Sequence, residues 1–113
     1  MNGSNQSGTL VNAETNETVH VDFIRLKKAA MILRALNHKL RQQLLHLLDE
    51  HKKVTVTEIY VKLRLEQSVV SQHLAIMRRA GIVTTKREGK FIYYSVNYQR
   101  VQDISTFIDQ LFT

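Results

Sequence analysis

Residues 57–81, TEIYVKLRLEQSVVSQHLAIMRRAG, decide the fold. Thr57 followed by Glu58 has the chemistry of a helix start: a hydroxyl cap, then an acid where the dipole favours one. A short helix is expected to Leu63, followed by a turn over Arg64–Gln67. Ser68 reads as the cap of a second helix, in which Val70, Leu74 and Met77 recur at i, i+4 and i+7 and form one apolar stripe. Gly81 supplies the left-handed residue that ends it. Two short helices joined by a tight turn form a helix-turn-helix, whose second helix enters the major groove and offers its N-terminal side chains to bases. Those side chains are Ser68, Ser71, Gln72 and His73. Taken singly, Ser68 is a cap and the others are ordinary surface polars, with His73 suited to packing as well. As a set they carry the donors and acceptors that pair with base edges, glutamine with adenine above all.

Beyond Gly81 the period falls from helical to two. Ile82–Arg87 and Phe91–Val96 read as strands, joined by the glycine hairpin Glu88-Gly89-Lys90. Lys86, Arg87 and Lys90 around that turn would by themselves mark a protected edge strand. Directly after a helix-turn-helix they read as a wing on phosphates or a minor groove, with Lys62, Arg78 and one of Lys52 or Lys53 as further backbone contacts. A last helix over Tyr98–Phe112 carries Val101, Ile104, Ile108 and Leu111 at helical spacing. Upstream, Lys53–Val56 is a short extended piece, and Leu40, Leu44, Leu47 and Leu48 line a helix from Lys39 to Glu50 or His51. Asn37-His38 separates it from a helix that Asp22 caps and that runs to Leu36, with Phe23, Leu26, Ala30 and Leu33 on one face.

The expected class is mainly α with a small β-hairpin, in the order helix, helix, short strand, helix, helix, hairpin, helix. Residues 1–20, rich in Asn, Ser, Thr and Gly, read as a mobile arm, and residues 21–113 as one DNA-binding and dimerisation domain. The 113 residues suit a single core, and at 43% hydrophobic the chain can fill one. No apolar run is long enough to span a membrane, and the polar start at Met1–Thr9 has no signal-peptide core. With no Cys, the chain has no disulfide, thiolate metal site or cysteine nucleophile. The net charge of +6 is concentrated in residues 52–100, where ten Lys and Arg face three acids. Such a stripe suits a polyanion. No glycine-rich phosphate loop, nucleophile elbow or Ser/His/Asp arrangement supports an enzyme.

From Ala35 to Asn97 the chain resembles the ArsR-type winged helix-turn-helix regulators, and the likeness extends over about residues 22–112. It rests on Leu40-Arg41 with Leu44-Leu45-His46-Leu47-Leu48, on Gln67-Ser68-Val69-Val70-Ser71-Gln72-His73-Leu74, on Met77-Arg78-Arg79-Ala80-Gly81-Ile82-Val83, and on Arg87-Glu88-Gly89-Lys90 through Val96. The resemblance implies a bacterial, cytoplasmic, nucleoid-associated homodimeric repressor that binds a double-stranded palindromic operator. Its terminal helices would pair across a two-fold axis, through Phe23, Leu26, Ala30 and Leu33 with Val101, Ile104, Ile108 and Leu111.

Metal-sensing members resembling this chain carry thiols where Tyr60 and Lys62 stand, and an acid with imidazoles where Tyr98, Arg100 and Leu111 stand. Neither set is present, and His20, His38, His46, His51 and His73 lack a shared ligand spacing. The expectation is therefore no metal and no cofactor, with the inducer open. Two alternatives remain at this stage. One is a winged-helix protein-interaction module with a basic face; the other is a regulator that needs no ligand.

Overall fold

The computed structural model describes residues 7–113. Among them the elements run β1 (Ser7–Val11), β2 (Thr18–Asp22), α1 (Phe23–Leu36), α2 (Lys39–His51), β3 (Val54–Thr55), α3 (Val56–Leu63), α4 (Gln67–Arg79), β4 (Val83–Glu88), β5 (Phe91–Val96) and α5 (Tyr98–Leu111). The described residues form two compact units, one ending at Ile32 and one over Leu33–Thr113. No helix among the described residues is long and apolar enough to cross a membrane.

The first unit corrects the expectation of a mobile arm. Residues 1–6 of that arm lie outside the described residues, but 7–22 form an antiparallel hairpin with Thr9 opposite His20 and Leu10 opposite Val19. The signal was the alternating Thr18-Val19-His20-Val21 with the short apolar Thr9-Leu10-Val11 before Asn12, brief enough to pass for polar loop. Asn12 organises the connection: its side chain accepts from the Glu14 N–H at 3.0 Å, and its N–H donates to the Glu17 carbonyl at 2.8 Å. The Thr9 hydroxyl meets His20 Nδ1 at 3.0 Å across the pair. Asp22 then caps α1 as expected, accepting from the Ile24 and Arg25 N–H groups at 3.0 and 3.1 Å.

The second unit holds the core. Leu44 and Leu48 of α2, Ile59 of α3, Val70, Leu74 and Met77 of α4, and Ile82 are fully buried, with Val83 at 2% exposure beside them. The apolar stripe expected on α4 is thus the stripe that packs. β3, β5 and β4 form one antiparallel sheet in that order, with Val54 opposite Tyr94 and Val83 opposite Val96. The β4–β5 turn is Gly89-Lys90, with φ positive at Gly89 and not at Lys90, the pattern of a type II′ hairpin. Its tip projects Lys86, Arg87 and Lys90 as exposed side chains. Five helices with a small hairpin of this order are the expected winged helix-turn-helix, with the β1–β2 hairpin added before it.

Candidate nucleic-acid interface

The helix-turn-helix is α3, a turn over 64–66, and α4. The α3 cap lies two residues before the expected Thr57. Thr55 is the cap: its hydroxyl accepts from the Glu58 N–H at 3.2 Å, while the Glu58 carboxylate accepts from the Thr55 N–H, also at 3.2 Å. This capping box needs a hydroxyl three residues before an acid, and Thr55 meets that spacing with Glu58 where Thr57 does not.

The α4 start is also corrected. Ser68 is the second residue of α4 and caps nothing; the N-cap position is Glu66, whose side chain makes no capping hydrogen bond. The N–H groups of this first turn are therefore free of a side-chain acceptor, and anions are favoured at such a terminus. At its other end, α4 closes as expected. Gly81 takes φ 76°, its N–H donates to the Arg78 carbonyl, and the Ile82 N–H donates to the Met77 carbonyl, both at 2.9 Å. These are the paired bonds of a Schellman closure.

The expected base-reading set divides in the structure. Ser68, Ser71 and Gln72 are exposed together, turned from the buried stripe. His73, expected to pack or to contact DNA, is half-buried and faces inward on one side. The Arg41 Nη1 group donates to His73 Nδ1 at 3.2 Å, and the His38 and His73 rings lie 4.7 Å apart between centroids. Spacing carried the signal, because His73 stands three residues after Val70 and four before Met77, beside the apolar stripe.

Among the expected phosphate contacts, Lys62, Arg78, Lys86, Arg87 and Lys90 are all exposed. Arg87 Nε donates to the Gly89 carbonyl at 3.2 Å, which holds that side chain along the hairpin tip. Lys52 and Lys53 are engaged elsewhere. Lys53 Nζ donates to both Glu88 carboxylate oxygens, at 3.0 and 2.9 Å, and sits 4.7 Å from the Tyr93 ring centroid. That ammonium holds the Glu88 carboxyl below its ordinary value. The Tyr98 hydroxyl donates to the Asp49 carboxylate at 2.6 Å and lowers its pKa, and Lys52, paired with it at 3.6 Å, lowers it further.

The residues expected at a dimer interface divide too. Leu26 is 56% exposed and Leu111 62%, and Phe23, Ala30 and Ile108 are also exposed, while Leu33 and Val101 are half-buried. Ile104 is buried within the chain itself and belongs to its core. Met31, Phe107 and Phe112 are exposed apolar side chains on or beside the same helices that the spacing did not single out. Among the described residues, no three His, Cys, Asp or Glu side chains converge as a metal site.

Residues 38–85, from the α2 cap into the first half of β4, match the model of the arsR family of bacterial regulatory proteins. The chain is 37% identical over 84 residues to the transcriptional repressor PagR of Bacillus anthracis, covering 74% of this chain and 84% of PagR. It is 33% identical over 85 residues to the transcriptional activator HlyU of Vibrio cholerae, covering 75% of this chain and 78% of HlyU. The crystal structure of PagR superposes with a TM-score of 0.62 at 36% identity, over 77% of this chain and 99% of PagR. A capped α3, an exposed polar face on α4 and a basic hairpin are thus found in a chain alike in sequence and backbone to known regulators: it belongs to the arsR family of winged helix-turn-helix, DNA-binding transcription regulators.

Proposed function

We propose that the chain is a homodimeric repressor that reads its operator with α4 in the major groove and grips flanking backbone with the β4–β5 wing. The observation that carries this reading is the exposed face of Ser68, Ser71 and Gln72 on a helix whose opposite face is buried and whose first turn is uncapped. Uncharged hydrogen-bonding side chains suit base edges better than carboxylates, which disfavours an acidic protein as the partner of this face. Lys62, Arg78, Lys86, Arg87 and Lys90 supply phosphate contacts, which set register and affinity without reading sequence. The exposed apolar side chains of α1 and α5 support two-fold pairing, and two copies suit half-sites one helical turn apart. Repression follows the sense of PagR. A bacterial cytoplasm with its nucleoid is the matching location.

The test is fluorescence anisotropy with duplex DNA from upstream of this chain's own gene, against random duplex, at two salt concentrations. Wild type is expected to prefer the upstream duplex by about 10³-fold or more. Gln72→Ala should lower that preference by about 1–3 kcal/mol, whereas Arg87→Ala should weaken all duplexes alike and reduce the salt slope by about one. An unchanged preference in Gln72→Ala would mean that α4 is not the reading helix.

A further inference from the structure

Arg41 is the one buried charged side chain among the described residues. It sits in α2 at i−3 from Leu44 and i−7 from Leu48, on the face that builds the core. A guanidinium there needs every donor direction occupied, and the structure supplies three acceptors. Nε donates to the Ala35 carbonyl at 2.7 Å, Nη2 to the Arg34 carbonyl at 3.0 Å, and Nη1 to His73 Nδ1 at 3.2 Å. Two of these acceptors are carbonyls of the last turn of α1, where a cation complements the helix dipole. The third belongs to α4. One side chain therefore ties the end of α1, the start of α2 and the middle of α4.

We propose that Arg41 is a positioning residue for DNA reading, seating α4 through a neutral His73, so that acidification unseats the helix and weakens sequence-specific binding. The proposal rests on α4 being the reading helix. An arginine can only donate, so His73 Nδ1 must carry the lone pair and Nε2 the proton. Protonation puts a second donor and a second positive charge against Nη1. His38 adds to the same effect. Its Nδ1 accepts from the Leu40 N–H at 3.1 Å as the cap of α2, and its ring lies 4.7 Å from that of His73. A positive charge on His73 would therefore face the ring that caps α2.

Arg41 and His38 are the charged and titratable groups acting on His73. Burial first, then these two, hold the His73 pKa below the ordinary 6.5. A pKa lowered by folding means that the seated arrangement is at full strength above the ordinary value and is lost as pH falls from there through the lowered one. The sign is distinctive. Added positive charge favours rather than weakens non-specific binding to phosphates. Acid should therefore weaken specific binding while sparing or strengthening the rest.

The probe is a duplex selected from a randomised pool by wild type at about pH 7.5, with random duplex as reference. Between about pH 7.5 and pH 5.5, wild type is expected to lose affinity for the selected duplex, by at most about tenfold, and none for the random one. His73→Asn places an oxygen where Nδ1 stood and does not titrate, so its ratio of affinities at the two pH values should be near one, whatever its neutral affinity. Arg41→Lys cannot reach three acceptors with one ammonium, and should lower selected binding at both pH values with random binding held. An imidazole nitrogen NMR spectrum of wild type, without DNA, should show His73 as the Nε2–H tautomer. A His73 carrying its proton on Nδ1, or a His73→Asn protein with the acid loss of wild type, overturns the proposal alone. A pool that enriches no sequence overturns the α4 reading and the proposal together.

Discussion

α3 and α4 are adjacent helices of one motif, and their ends are finished differently. α3 is closed at both ends by its own residues: the Thr55–Glu58 box at the start, and at the finish Arg64 in the left-handed region at φ 56°, with the Leu65 N–H donating to the Tyr60 carbonyl. α4 is closed only at its finish, by Gly81, and its first turn has no side-chain acceptor. Both helices pack into the core, α3 through Ile59 and α4 through Val70, Leu74 and Met77. The open helix presents Ser68, Ser71 and Gln72 beside unsatisfied backbone donors, which is how a helix end meets a phosphate. α3 is capped at both ends and α4 at its far end, and the end proposed to read DNA has been left free.

The largest expected effect that would sharpen this contrast is at the closed end of α4. A Cβ on Gly81 would stand 3.0 Å from Arg100 Nε, at a backbone φ of 76° that side chains disfavour. Gly81→Ala should cost about 1–2 kcal/mol for the left-handed conformation alone, measured by urea unfolding. Next is the closed start of α3. Thr55→Ala should cost about 1 kcal/mol, whereas Thr57→Ala should change stability by less than about 0.5 kcal/mol. Equal losses at Thr55 and Thr57 would break the claim that the box fixes where α3 begins.

The misplaced cap shows what the sequence made legible. Periodicity located α2, α3, α4 and α5 and the buried stripe of Val70, Leu74 and Met77, because burial of one face dominates the energy of a helix. Caps were less legible, since both Thr55 and Thr57 carry the right hydroxyl and only the spacing to Glu58 separates them. Ser68 misled for a similar reason: a hydroxyl near a helix start caps only when its own backbone is extended, and here the chain enters the helix at Gln67. The 7–22 hairpin hid behind polar composition, and two strands alone give a weak pattern. The shared exposure of Ser68, Ser71 and Gln72 was legible from the face opposite the stripe. Arg41 was not, because a charged residue on an apolar period signals only a missing partner, and that partner stands 32 residues away at His73.

A smaller effect should appear where α3 uses an arginine in the role that glycine has at the end of α4. Arg64 is exposed and its side chain is not part of the closure, so Arg64→Gly relieves the left-handed strain and loses no packing. Against that stands the greater freedom of glycine in the unfolded chain. The balance should be a gain of roughly 0.5 kcal/mol in urea unfolding. A loss of stability would mean that the arginine side chain supports the turn in a way its exposure does not suggest.

The smallest change in stability tests the open end itself. Glu66 carries the right charge for a helix start but is one methylene too long to cap it, and aspartate is among the preferred cap residues. Glu66→Asp keeps the charge, so electrostatic attraction to DNA is held constant while an acceptor is brought within reach of the first-turn N–H groups. Stability should rise by a few tenths of a kcal/mol. Affinity for DNA should fall severalfold, because the new carboxylate occupies donors that a phosphate would otherwise meet. A variant that is more stable with undiminished DNA binding would separate the two observations, leaving the uncapped turn as a local feature of the fold and the polar face of α4 as the whole of the reading surface.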